Sequence, residues 1–222
     1  MILLPLAVIC SYAFGYILWE TKIEGLKQAR SPLLWFSLGI GGWFIFFFCL
    51  PRPMWFYVFG HELTHAIGAW LFGGTVFRMK VSSRGGFIRT NKSNVWIALA
   101  PYFFPIYTGL IFWIWWLISF WIFLEPWTAW LYGLVGMSWG FHLTFTIWML
   151  ITTEQSDIVP HGNLFSFSLI YWINILLLTL FLVLVMPEIT WRDWWKGLQQ
   201  GWLWGKELGL SFYKFCSRAT LL

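Results

Sequence analysis

The chain has 222 residues, of which 59% are hydrophobic and only 10% carry a formal charge. A soluble domain needs charged residues at about a quarter of its positions, so the composition excludes an ordinary soluble protein. The net charge of +5 does not indicate nucleic acid, because the basic residues lie between apolar runs, where they fit lipid headgroups and topology signals. We expect an all-α polytopic membrane protein with about five to six transmembrane helices.

Six apolar runs are candidate spans. They cover residues 2–19, 33–50, 54–73, 95–124, 127–151 and 164–187. The first run lacks a preceding basic region, so we interpret it as a retained helix and not a cleaved signal peptide. As one helix, the run 95–124 would be about 45 Å long, against a hydrocarbon core of roughly 30 Å. We therefore predict that part of it is kinked, interfacial or re-entrant.

The longest polar insertion, residues 74–94, predicts a small β-hairpin on the membrane surface. Apolar and polar residues alternate over 77–82, which is the period of a strand. Arg84-Gly85-Gly86 supplies a turn, and Phe87–Thr90 can form a return strand. The five Lys and Arg residues of this insertion indicate the cytoplasmic side of the membrane.

We expect one integral membrane domain over residues 1–222, with a functional core at about 54–187. Residues 20–32 carry three Lys or Arg and would share a side with the hairpin if the runs 33–50 and 54–73 both span. The tail 188–222 alternates Trp, Lys and Gly in a helical manner, which predicts an interfacial amphipathic helix.

The sequence His61-Glu62-Leu63-Thr64-His65 lies inside one of the apolar runs. A carboxylate and two imidazoles are costly in hydrocarbon and mark a functional site. On a helix, the two histidines project from one face and can bind one metal ion. Glu62 lies next to them, where it can act as a general base toward a metal-bound water. This HExxH pattern is typical of zinc hydrolases, so we predict Zn²⁺ as the cofactor.

A catalytic zinc needs a third protein ligand, and the sequence leaves several candidates. We favour Asp157 and keep His142 as the alternative, with His161 and Glu154 after them. If 95–124 and 127–151 each crossed the bilayer once, Asp157 would emerge far from His61. We therefore expect that part of 95–151 is re-entrant or that the loop dips inward, unless His142 is the ligand.

These features resemble the site-2 protease family of intramembrane zinc metalloproteases. The matching segments are Phe59–Ala69 with its HExxH motif, Gly73-Gly74 followed by the hairpin, Ala98-Leu99-Ala100-Pro101, and the late aspartate Asp157. The resemblance covers roughly residues 54–175. It implies zinc bound by two histidines and an aspartate, a glutamate base, and cleavage of a substrate's transmembrane helix near one face of the bilayer.

Carried over to this chain, the resemblance implies that His61, His65 and Asp157 bind zinc and that Glu62 is the catalytic base. Two features depart from the family. The aspartate lies in Ser-Asp-Ile and not in a Leu-Asp-Gly type of sequence, and no asparagine is evident at 102–107. There is also no room for a PDZ module.

The favoured hypothesis is a zinc endopeptidase of a bacterial plasma membrane, with a membrane-protein substrate and the lipid bilayer as its partners. The alternative is a non-catalytic membrane scaffold or chaperone that retains a metal or polar site. A metal transporter ranks lower, because few further ionisable residues could form a pathway. For substrate entry, we hypothesise that an unwound segment pairs with an edge strand of the 75–90 hairpin. The sequence indicates neither specific substrate-binding residues nor an oligomeric state.

Overall fold

The chain is mostly helical and carries one small β-hairpin, which confirms that part of the prediction. The computed structural model describes residues 3–20, 32–185 and 189–219. Its helices are α1 (Leu3–Glu20), α2 (Pro32–Cys49), α3 (Met54–Leu71), α4 (Val95–Phe103), α5 (Ile106–Ser119), α6 (Thr128–Thr152), α7 (Asn163–Val185) and α8 (Trp191–Ala219). Its strands are β1 (Val76–Ser82) and β2 (Gly85–Thr90), and 3-10 turns lie at Glu125–Trp127 and Val159–His161. Most of the basic segment 20–32 lies outside the described residues.

Among the described residues, three helical segments are long and apolar enough to cross a membrane: α2, Glu125–Thr152 and α7. The bent pair α4 and α5 would make a fourth if it is one span. The apolar part of α1 is shorter, and α3 is not among the candidates, because its two histidines and its glutamate lower its mean hydropathy. These helices are consistent with a membrane protein, but the predicted count of five to six spans is not confirmed.

The run 95–124 is broken, as its length predicted. Helices α4 and α5 meet at an angle of 73°, and the break falls at Phe104 and Pro105. Pro105 has no backbone N–H and cannot continue the hydrogen-bond ladder of α4. The break leaves α4 as a short helix packed beside α3. This arrangement places α4 next to the helix that carries His61 and His65.

The chain divides into two compact units, one formed by Met1–Gly25 with Phe167–Leu222 and the other by Leu26–Ser166. In the first unit, α8 begins with a capping box, in which the Thr190 N–H donates to Asp193 Oδ2 and the Asp193 N–H donates to Thr190 Oγ1. Gly197 lets α8 approach α1 closely, since a Cβ there would lie 3.0 Å from the Cα of Ala13. The tail is helical over Trp191–Ala219, as predicted.

In the second unit, α2 and α6 cross at very close range. A Cβ at Gly136 would collide with the carbonyl oxygen of Phe36, and one at Gly39 with that of Gly133. Small residues of this kind let helix backbones approach each other in membrane proteins. The crossing supports an aromatic core that also includes residues of α3. Its buried members are Trp43, Phe47, Tyr57, Val58 and Phe145.

The hairpin packs against α3 and is one residue tighter at its turn than the sequence suggested. Ser82 pairs with Gly85, so the turn consists of Ser83 and Arg84, and Gly85 and Gly86 already belong to β2. Gly85 has φ +134°, a conformation that suits glycine because it has no Cβ. The predicted turn Arg84-Gly85-Gly86 was therefore shifted along the chain.

Candidate metal centre

Helix α3 places both histidines of the HExxH sequence on one face. The Nε2 atoms of His61 and His65 lie 3.2 Å apart, as expected for residues one helical turn apart. His65 is 5% exposed and Glu62 is 6% exposed. Three ionisable side chains therefore lie close together on a helix that is otherwise mostly apolar.

Asp157 completes the group from a turn between α6 and α7. Its Oδ2 atom lies 3.3 Å from the Nε2 atoms of both His61 and His65. A tetrahedral zinc ion with bonds of about 2.0–2.1 Å requires ligand atoms about 3.3 Å apart. Three atoms from two distant segments thus lie at the mutual spacing of three corners of a zinc tetrahedron.

His65 is held in the tautomer that a metal ligand needs. Its Nδ1 atom lies 2.8 Å from the carbonyl oxygen of Ile97, and a carbonyl can only accept, so Nδ1 carries the proton. Without an ion, Nε2 can carry a second proton and donate it to the Asp157 carboxylate. A bound metal ion would take the place of that proton at the Nε2 lone pair. Ile97 is itself fixed at the start of α4, where its N–H donates to the capping side chain of Asn94 at 2.9 Å.

Tyr102 is a site residue that the sequence analysis did not identify. Its side chain is completely buried, and its hydroxyl lies 3.0 Å from Asp157 Oδ2 and 3.0 Å from Gln155 Oε1. The ring meets that of His61 edge-on, with centroids 5.2 Å apart. The available signal was a hydroxyl next to Pro101 in an apolar helix, where a buried Tyr usually needs a hydrogen-bond partner.

The charge of Asp157 fits a ligand. Burial raises the pKa of this carboxyl, but the hydrogen bonds from His61 and His65 outweigh burial and lower the pKa below its usual value. Asp157 is therefore an anion at neutral pH. An anionic oxygen and neutral imidazole nitrogens form a donor set that suits a divalent cation.

A cleft of about 500 Å³ opens beside the group. Its walls are α3, strand β2, the start of α4 and residues 153–157, and both Glu62 and the three clustered residues line it. Strand β2 lies directly against the glutamate, since a Cβ at Gly86 would be 2.7 Å from the Cγ of Glu62. Glu62, the general base predicted from the sequence, therefore lines the same cleft as the three potential metal ligands and contacts the hairpin.

The other candidate ligands named from the sequence do not belong to this group of three. His142 is buried in α6 and lines a smaller cavity, which also touches His61. Glu154 lines the large cleft, and His161 belongs to the turn after Asp157. Of the described residues, only His61, His65 and Asp157 form a group of potential metal ligands, with their ligand atoms all within 4.8 Å of one another.

The group His61, His65 and Asp157 could thus hold a metal ion, with two imidazoles and one carboxylate as donors. No protein-family model, no curated protein and no solved structure matches this chain. The side chains of the site and their geometry therefore carry the functional assignment.

Proposed function

We propose that this protein is an intramembrane zinc metalloendopeptidase of the site-2 protease kind. The observation that carries the proposal is the convergence of His61 Nε2, His65 Nε2 and Asp157 Oδ2 at distances of 3.2–3.3 Å. A catalytic zinc is held by three protein ligands and keeps a fourth position open. The open side of this group faces a cleft that also contains a carboxylate, as hydrolysis requires.

Zinc is the metal that best fits the chemistry of the site. Imidazole and carboxylate donors also accept other divalent transition metals. However, Glu62 follows the first histidine directly and belongs to the HExxH sequence, in which the glutamate serves a hydrolytic water. This neighbour favours a metal that carries out hydrolysis without redox chemistry, which is the property of zinc.

The residues of the site divide the chemistry among themselves. His61, His65 and Asp157 would hold the zinc ion, which would supply Lewis acidity for hydrolysis when bound. Glu62 accepts a proton from the attacking water and delivers it to the amide nitrogen as the C–N bond breaks. His65 stays fixed through its bond to Ile97, and strand β2 restricts the space around Glu62 through Gly86.

The substrate we propose is an unwound segment of a membrane protein. The cleft lies beside apolar helices, and β2 contributes Gly85, Gly86, Phe87, Ile88 and Thr90 to its wall. An extended peptide could add to this two-stranded sheet as a further strand. Proline substitutions at alternate positions of β2 should reduce cleavage at the positions where a donor N–H is lost. Unchanged cleavage across the whole series would exclude strand addition.

The proposed activity is tested by replacing the base without disturbing the metal ligands. We expect Glu62→Gln to abolish cleavage of co-reconstituted single-span membrane proteins while zinc content stays at the wild-type level. New peptide termini identified by mass spectrometry measure cleavage, and elemental analysis measures zinc.

Glu154→Gln is the matched control, because Glu154 also lines the cleft but does not belong to the metal-binding group. We expect it to cleave at close to the wild-type rate. If wild type yields no new termini, or if Glu62→Gln yields the same ones, the protease assignment is wrong. A zinc-containing but inactive wild-type protein would favour a scaffold or chaperone.

A further inference from the structure

We propose that Tyr102 is a positioning residue that holds Asp157 in place as the third metal ligand. The inference rests on the proposed function, because it assigns the hydroxyl a role only at a metal centre. It concerns a residue outside the HExxH sequence and outside the segment that carries the aspartate.

The hydroxyl of Tyr102 contacts the oxygen that matters for metal binding. It lies 3.0 Å from Asp157 Oδ2, and this same oxygen lies 3.3 Å from both histidine Nε2 atoms. A carboxylate oxygen has two lone pairs. One can accept the Tyr102 proton while the other faces the imidazoles, so the hydrogen bond and a metal bond are compatible.

Asp157 needs such support more than the histidines do. Both histidines belong to α3, whose backbone is fixed by its own hydrogen bonds, and His65 is anchored further by Ile97. Asp157 lies in a turn, and its side chain is 25% exposed. A hydrogen bond from the short helix α4 fixes the carboxylate against this freedom, as outer partners of metal ligands do.

Two acceptors, Asp157 Oδ2 and Gln155 Oε1, share the single proton of the Tyr102 hydroxyl. Gln155 Oε1 lies 3.0 Å from the hydroxyl, and Gln155 Nε2 donates to the carbonyl of Thr153 at 3.2 Å. The Tyr102 ring packs edge-on against the imidazole of His61. Replacement by phenylalanine would therefore keep the ring contacts and remove the contacts of the hydroxyl with Asp157 and Gln155.

The test measures metal binding by the full chain in detergent after chelation. Co²⁺ is titrated and followed by its visible absorption, and Zn²⁺ affinity is obtained by competition. We expect Tyr102→Phe to weaken binding by roughly 10- to 100-fold and to change the Co²⁺ spectrum. Tyr107→Phe is the matched control, because Tyr107 donates to the Phe56 carbonyl on α3 and should leave both unchanged.

A second background separates positioning from general stability. In Asp157→Ala, the further change Tyr102→Phe should cause no additional loss of residual Co²⁺ affinity, since its target is gone. Wild-type affinity and spectrum in Tyr102→Phe, or an equal loss in the Asp157→Ala background, would overturn the inference and leave the metal centre standing. A wild-type chain that binds neither Co²⁺ nor Zn²⁺ would remove both proposals.

Discussion

Two buried histidine environments lie on either side of His61, and they differ in what they can bind. On the cleft side, His61 and His65 converge with Asp157 on a common point. On the other side, His142 lines a cavity of about 20 Å³ and lies outside that group. Apolar helices line both environments. From the sequence, Asp157 and His142 were alternative candidates for the third ligand. The comparison shows that a metal site depends on atoms from separate segments converging, and not on a histidine being buried.

The largest expected effect on zinc affinity comes from removing the side chain of Asp157. Asp157→Ala deletes the one anionic member of the proposed ligand set, so zinc affinity should fall by more than the roughly 10- to 100-fold cost of losing an outer partner. Competition with a calibrated chelator measures the affinity. If His142→Ala shows the larger loss, the roles of the two environments are reversed.

Removal of the metal should separate the same two variants by stability. A ligand at about 100 times its Kd stabilises the folded state by about 2.7 kcal/mol, so chelation should lower the unfolding temperature of the wild type. His142→Ala should show the same decrease on chelation, while Asp157→Ala should show almost none. Thermal unfolding with and without chelator gives the two differences, and equal decreases in both variants would contradict the assignment.

A smaller effect is expected from a substitution in the wall of the cleft that leaves the three candidate ligands in place. A methyl group at Gly86 would lie 2.7 Å from Glu62 Cγ and 2.8 Å from Val58 Cγ1, and overpacking of this kind costs about 1–3 kcal/mol. Gly86→Ala should therefore slow cleavage while zinc affinity remains unchanged. Gly42→Ala on α2, where nothing lies within 4 Å, serves as the control in the same kinetic assay. A parallel loss of zinc in Gly86→Ala would show that the hairpin supports the ligands as well.

His142→Ala is expected to lower stability and to leave metal affinity unchanged. The substitution removes a buried ring that packs against Trp139, so the free energy of unfolding should fall by about 1–3 kcal/mol. Zinc affinity should match the wild type within error, because the residue lies outside the ligand group. Calorimetry of the zinc titration would detect any departure from this expectation.

Local sequence patterns were sufficient to predict helices and strands, because each of these depends mainly on neighbouring residues. The 3.6-residue period places His61 and His65 on one face, and the alternation over 77–82 gives a strand that the structure has at Val76–Ser82. The turn was shifted because Ser83 and Arg84 carry no strong turn signal, whereas the two glycines after them do.

The arrangement around Asp157 could not be read in this way. It depends on the 73° bend between α4 and α5, and the excess length of the run 95–124 predicted a break but not its direction. Tyr102 was missed for the same reason, because its contacts with Asp157 and Gln155 join residues more than 50 positions apart. Counting of crossings identified the distance between His61 and Asp157 as a problem, and the sequence offered no means of resolving it.

The position of Asp157 in the chain also links the candidate metal centre to the stability of the second unit. His61 and Asp157 are 96 residues apart in the chain, and about two thirds of the second unit lies between them. An ion bound by both would hold the two ends of this loop together in the folded state, and its binding free energy would add to the free energy of unfolding. The hairpin, the bent pair α4–α5 and helix α6 all belong to the closed segment. Metal occupancy would thus stabilise the tertiary structure, and loss of the ion would loosen elements far from the candidate site.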